Sequence, residues 1–82
     1  MKRLTIIEMQ EIVIDGYKQA ENYGDNRFGR QRRCRKAALR RAREAFTKQG
    51  FNEEMTDYLI RQAIDIANAE IGLIRASLEN LP

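Results

Sequence analysis

Residues 27–48 of the chain read RFGRQRRCRKAALRRAREAFTK. This stretch contains ten of the fifteen lysine and arginine residues of the protein, and Glu44 is its only acidic residue. The segment before it (residues 1–24) and the segment from Phe51 onward are each mildly acidic. The net charge of +3 therefore conceals one strongly cationic segment between two acidic ones. Such a charge asymmetry is typical of proteins that bind a polyanion.

The cationic stretch also has the periodicity of an amphipathic helix with a narrow apolar face. Asp25 or Asn26 is a suitable N-cap, and Gly50 is a suitable terminator. We therefore predict a helix over about 26–49. Its apolar face consists mainly of small residues and two phenylalanines: Phe28, Ala38, Leu39, Ala42, Ala45 and Phe46.

The first segment begins with a helix-start signal. Thr5 and Glu8 have the spacing of a capping box, in which each side chain accepts a hydrogen bond from a backbone N–H of the other. The apolar residues that follow recur at helical spacing, and Gly24 tolerates the positive φ with which many helices end. These signals predict a helix over about 5–23.

The third segment contains the longest apolar pattern of the chain. Asn52 is a suitable N-cap, and the glutamates that follow it favour the positive end of the helix dipole. Apolar residues then step by four and three, as in a heptad seam: Ile60, Ile64, Ala67, Ile71, Ile74 and Leu78. This pattern predicts a helix over about 53–81.

Together these signals predict an all-α fold, a single domain over residues 1–82. Short turns between the helices predict a three-helix antiparallel hairpin or bundle. The first and third helices have broader apolar faces than the second can cover. We therefore expect homo-oligomerisation, as a symmetric dimer or higher, to complete the bundle. The residues expected at this oligomer interface are Ile60, Ile64, Ile71, Ile74 and Leu78.

The basic side chains of the second helix form one exposed row at spacings of three and four. Because guanidinium groups match the geometry of phosphate and carboxylate, the preference for arginine over lysine indicates anion recognition. Two other interpretations remain open: a face that pairs with acidic residues of a protein, and a solvated face. The predicted polyanion-binding residues are Arg32, Arg33, Lys36, Arg40 and Arg43.

Two charged residues interrupt the apolar faces. Arg35 lies on the apolar face of the second helix, and Glu70 interrupts a second apolar row of the third. A buried guanidinium without a partner would be costly. An antiparallel register places residue 35 opposite about residue 67, so we predict a structural ion pair between Arg35 and Glu70. Glu21 is the alternative partner of Arg35.

The composition argues against an enzyme. The chain contains no histidine and one cysteine, Cys34, so no nucleophile with a base and no zinc ligand set is evident. We expect no metal and no cofactor. A single cysteine favours a reducing, cytoplasmic setting, and no apolar run is long enough to suggest a membrane partner.

Three functional hypotheses follow from these observations. The leading one is a non-enzymatic binding module whose arginine-rich central helix engages nucleic acid, mainly through phosphates. The second is a small inhibitor or adaptor protein, of the kind that mobile elements encode, which docks on an acidic surface of a host protein. The third is a basic oligomer interface that binds a small phosphorylated nucleotide, with Tyr17, Tyr23 or Tyr58 stacking on its base.

Overall fold

A computed structural model describes residues 3–23 and 29–80, which form three α-helices. Helix α1 spans Ile6–Ala20, α2 spans Arg30–Lys48 and α3 spans Glu53–Glu79. Each helix packs against both of the others, and no strand occurs in the described ranges. The prediction of an all-α bundle of three helices is therefore confirmed.

Two of the predicted helix starts are confirmed in detail. At α1, the Thr5 hydroxyl accepts a hydrogen bond from the Glu8 backbone N–H, and the Glu8 carboxylate accepts one from the Thr5 N–H. At α3, the Asn52 side-chain oxygen accepts a hydrogen bond of 2.8 Å from the Met55 backbone N–H. These caps satisfy N–H groups that have no partner within the helix.

Other helix boundaries differ from the prediction. Helix α1 ends at Ala20 rather than near 23. In each of the next three residues, the backbone N–H donates to the carbonyl three residues earlier, which gives tighter turns than those of an α-helix. Helix α2 begins at Arg30 rather than 26, after Gly29 in a left-handed conformation with φ of 67°. The predicted caps at residues 24–26, and Phe28 of the predicted apolar face, lie outside the described residues.

A tight turn joins α2 to α3. The Gly50 N–H donates to the Thr47 carbonyl and the Phe51 N–H donates to the Phe46 carbonyl, which is the Schellman pattern of helix ends. Gly50 has a φ of 88°, which a residue with a Cβ adopts only with strain. The rings of Phe46 and Phe51 meet edge to face, with centroids 5.4 Å apart, and close the turn against the core.

Contacts between the helices define their directions. Residues Met9, Val13 and Gly16 of α1 lie beside progressively earlier residues of α2, so these two helices are antiparallel. Contacts of α1 with α3 progress in the same direction along both helices, from Gln10 with Leu59 to Glu21 with Arg75. Helix α1 therefore runs parallel to α3, and the bundle has up-down-up topology.

The core is built around two clusters of buried side chains. One contains Met9, Phe46, Leu59 and Ile60, and the other contains Val13, Ala42 and Ala63. Above them, α1 and α2 approach so closely that a Cβ added to Gly16 would overlap the Cβ of Ala38. The small residues of α2 thus allow its backbone to lie directly against α1.

This core corrects the expected oligomer interface. Ile60 and Ile71 are buried within the single chain, and Ile64 packs against both core clusters, so none of the three is available to a second copy. The physical reason is that α1 and α2 together cover most of this seam of α3. Only Ile74 and Leu78 of the predicted interface are exposed, because they lie at the end of the seam, where residues 72–80 are all exposed.

The close approach of α1 and α2 yields a first prediction. Gly16→Ala should lower the free energy of unfolding by about 1–3 kcal/mol, because overpacking forces the helices apart, although alanine is the better helix former. Chemical denaturation measures the change. A compensating Ala38→Gly in the same chain should recover part of the loss.

Gly72→Ala is the matched control, because Gly72 is also inside a helix but a Cβ there meets no atom within 4 Å. This variant should be stabilised, by up to about 1 kcal/mol. A Gly16→Ala protein as stable as the Gly72→Ala protein would show that α1 and α2 do not approach as closely as described.

Candidate polyanion-binding surface

The orientation of α2 is set by its inner face. Ala38, Ala42 and Phe46 are fully buried against α1 and α3. Because these residues occupy one narrow stripe, the opposite half of the helix is directed to solvent. All five predicted polyanion-binding residues are exposed there: Arg32, Arg33, Lys36, Arg40 and Arg43.

One of these five residues is neutralised within the chain. The Arg43 guanidinium lies 2.7 Å from the Asp57 carboxylate of α3, and both side chains are about half exposed. Such an exposed pair contributes roughly 0–1 kcal/mol and can exchange for another anion. Among the described residues, no carboxylate lies within ion-pair distance of the other four cations. We call these four residues the free basic row: Arg32, Arg33, Lys36 and Arg40.

Further positive charge lies on the other flank of the same exposed half. Arg30, Arg41 and Lys48 are exposed there, and Glu44 is the only acidic residue of α2. Helix α2 thus contains nine basic residues, whereas α1 and α3 together contain nine acidic and three basic ones. The bundle is consequently polarised, with its positive side formed by a single helix.

The predicted ion pair between Arg35 and Glu70 is wrong. The guanidinium of Arg35 lies 5.8 Å from the centre of the Tyr17 ring, within the range of a cation–π contact. The Glu70 carboxylate lies 2.8 Å from Lys18 of α1. Glu21, the alternative partner, pairs with Arg75 of α3.

The position of α1 explains this difference. The prediction assumed that α2 and α3 stay adjacent along their length. In the structure, α2 contacts α3 through residues near their connecting turn, such as Ala42 and Phe46, whereas its N-terminal half contacts α1. Arg35 and Glu70 therefore each meet a residue of α1.

The pair between Lys18 and Glu70 also affects protonation. The hydrogen bond and charge of Glu70 raise the pKa of Lys18 above its ordinary value of 10.5. A raised folded-state pKa means that the stabilising effect is complete at neutral pH and is lost only as the pH rises through that value. The Lys18 end of the pair therefore keeps its charge at neutral pH.

Two further side chains on α2 have structural contacts. The Cys34 thiol is half-buried and donates a hydrogen bond of 3.4 Å to the Gly16 carbonyl, which agrees with a packing residue at the α1–α2 boundary. The Gln31 amide donates to the Tyr23 carbonyl at 2.8 Å and connects the start of α2 to the turn that follows α1. Neither residue contributes to the free basic row.

In comparisons with known proteins, no family model, curated protein or solved structure matches the chain. Within the described residues, none of the three helices combines the length and apolar character that crossing a membrane requires. Functional inference therefore depends on the surface itself.

A double-mutant cycle tests the revised ion pairing. Replacement of Lys18 by Met and of Glu70 by Gln, singly and together, should reveal a coupling energy of about 0.2–1 kcal/mol, typical of exposed pairs. The same cycle with Arg35→Met in place of Lys18→Met is the control and should show no coupling beyond experimental error. Coupling of Glu70 to Arg35 instead of Lys18 would contradict the parallel packing of α1 on α3.

Proposed function

We propose that this protein is a non-enzymatic binding module whose α2 engages nucleic acid, mainly through the phosphate backbone. The observation that supports the proposal is the free basic row, in which four exposed cations have no carboxylate partner in the described part of the chain. The row spans nine residues of helix, Arg32 to Arg40, or about 12 Å. Such a charge density on one helix face is self-repulsive unless anions occupy it.

The type of cation favours phosphate as the anion. Three of the four residues are arginines, and a guanidinium donates two parallel hydrogen bonds to a phosphate, whereas an ammonium acts as a point charge. The helix is rigidly held, because its inner face is fully buried. Binding therefore requires ordering of side chains but no ordering of backbone, which lowers its entropic cost.

Nucleic acid fits the shape of this surface better than a small anion does. The row is a convex helix face with a second basic flank at Arg30, Arg41 and Lys48, so its charges are spread over several turns. A polymer with evenly spaced phosphates can meet all of them, while a single small phosphate meets two or three. Tyr17, a candidate for base stacking, is already in contact with Arg35.

Recognition should depend little on sequence. Reading of bases in the major groove commonly uses asparagine or glutamine beside arginine. No asparagine or glutamine lies in the free basic row, and the amide of Gln31 is hydrogen bonded to Tyr23. We therefore propose binding through backbone phosphates, with the same helix serving DNA or RNA.

A triple substitution tests the proposal. Replacing Arg32, Lys36 and Arg40 by Gln should leave the circular dichroism spectrum and melting temperature nearly unchanged, because all three side chains are exposed and pair with no carboxylate of the described residues. It should weaken binding to a fluorescent 20-base-pair DNA duplex by about tenfold or more at moderate salt, because fewer counterions are released. Fluorescence anisotropy measures the affinity.

A single substitution, Arg40→Gln, tests one residue of the free basic row. Its matched control is Arg61→Gln, which removes the same charge from an exposed position on α3. Only Arg40→Gln should weaken duplex binding. Equal affinity of the triple variant and the parent would overturn the proposal. The adaptor hypothesis would be favoured instead if the parent did not bind the duplex but captured an acidic host protein, and if this capture persisted after nuclease treatment.

A further inference from the structure

The outward half of α2 consists of three parallel lines of side chains, which helical periodicity of about 100° per residue defines. The line at the edge beside α3 is called the first flank: Arg32, Lys36 and Arg43. The line at the opposite edge is the second flank: Arg30, Arg41 and Lys48. Between the flanks, on the side of the helix opposite the buried stripe, is the ridge: Arg33, Ala37, Arg40, Glu44 and Thr47.

The two flanks face in nearly opposite directions. They are separated by about 150° around the axis of α2, and the ridge lies between them. Every side chain of both flanks is basic and exposed. A single phosphate backbone running along α2 can contact one flank only. Contact with both flanks at once requires two phosphate backbones with the helix between them.

We propose that α2 lies in the major groove of duplex DNA, with one flank against each phosphate backbone and the ridge toward the base edges. This inference rests on the proposed function and narrows it to one ligand and one groove. The major groove of B-form DNA is about 12 Å wide and admits an α-helix of about 10–12 Å in diameter. The minor groove is about 6 Å wide and does not.

The packing of α2 allows it to enter this groove. Its buried stripe occupies only one side, so about half of its circumference projects from the bundle. This projection is about one helix radius, or 5–6 Å, which is less than the groove depth of about 8.5 Å. The ridge therefore approaches the base edges before α1 and α3 reach the phosphate backbones.

The position of the one acidic residue of α2 supports this orientation. Glu44 is exposed and lies on the ridge rather than on either flank. If α2 lay across the outside of a duplex, the ridge would meet phosphates first, and these would repel Glu44. In the major groove the ridge faces base edges instead, and the amino group of cytosine there donates to carboxylates. Both flanks, which meet the phosphates, are free of acidic residues.

Neighbouring parts of the bundle support each flank. On the first flank, the Arg43 guanidinium already binds an anion, the Asp57 carboxylate, at 2.7 Å. A phosphate accepts hydrogen bonds from a guanidinium in the same paired geometry as a carboxylate. On the second flank, Arg3, which precedes α1, lines the same surface depression as Arg41 and Lys48. Arg3 therefore adds a further cation at that edge.

The same geometry separates DNA from RNA. The major groove of an A-form RNA duplex is deep and narrow, and side chains cannot read it. On an RNA duplex α2 can bind one backbone through one flank, so it makes fewer phosphate contacts. We expect the affinity for a DNA duplex to exceed that for an RNA duplex of the same sequence by about tenfold or more at moderate salt.

Two double variants test whether both flanks bind. Arg32→Gln with Lys36→Gln alters the first flank, and Arg41→Gln with Lys48→Gln alters the second. In the groove, each pair should make the slope of log affinity against log salt, measured on a DNA duplex by fluorescence anisotropy, shallower by nearly two. A helix lying along one backbone would lose slope in the first-flank variant only. The matched control is Arg41→Lys, which keeps the charge and should keep the parent's slope.

Methylation of the bound duplex identifies the groove. Dimethyl sulfate methylates N7 of guanine in the major groove and N3 of adenine in the minor groove. With saturating protein, methylation of guanine N7 should fall by about threefold or more, while that of adenine N3 should stay unchanged. The second-flank variant at the same concentration is the control and should protect guanine N7 less than the parent does.

The outcomes separate this inference from the proposed function. A parent that binds the DNA duplex but protects adenine N3, or neither position, overturns the groove contact and leaves phosphate binding in place. An unchanged slope for the second-flank variant, or an RNA duplex bound as tightly as DNA, has the same consequence. A parent that binds no duplex overturns both the groove contact and the proposed function.

Discussion

The packing of α2 on α1 constrains the rest of this molecule. Helix α2 has only a narrow stripe of apolar side chains, and much of it is alanine, so it can bury that stripe only if a partner backbone comes very close. Gly16 of α1 provides this approach at Ala38. The other faces of α2 contain charged side chains, which are costly to bury. The burial of this one stripe therefore fixes the rotation of α2 about its own axis and directs its basic residues to solvent.

This constraint also explains the layout of the other helices. Since α1 contacts the whole length of α2, it lies between the N-terminal half of α2 and the C-terminal half of α3. Helix α3 is held by α2 only near the turn at Gly50, and beyond that by α1. Two ion pairs accordingly join α3 to α1 and to the residue after it: Glu70 with Lys18, and Arg75 with Glu21. Asp57 lies close to the turn and reaches Arg43 of α2 instead.

Much of this structure could be predicted from local sequence. The capping signals at Thr5 and Asn52 and the terminator at Gly50 act within a single turn, and each marked its helix end correctly. The heptad seam extends over several turns and predicted the length of α3. The exposure of the basic row followed from helical periodicity alone. Local signals were less accurate where glycine and turns decide the boundary, as at the start of α2 after Gly29.

Tertiary arrangement was harder to predict, because it depends on which helices stay adjacent. The sequence shows that Arg35 and Glu70 are unusual, but it does not show that Tyr17 and Lys18 of α1 will meet them. It also contains two apolar patterns on α3, and the stronger one turned out to be the intramolecular core. The signal for Gly16 as a contact point was present, since a glycine inside an apolar helix face often marks close backbone approach.

Phosphate binding by the free basic row is tested most directly by the salt dependence of affinity for a DNA duplex. Contacts with four to six phosphates predict that a plot of log affinity against log salt has a slope between about −3.6 and −5.4. The slope measured for the triple variant should be shallower by nearly one for each phosphate contact that is lost. This variant has Gln in place of Arg32, Lys36 and Arg40. A parent protein whose affinity for the duplex is undetectable at low salt, or independent of salt, would contradict phosphate recognition by α2.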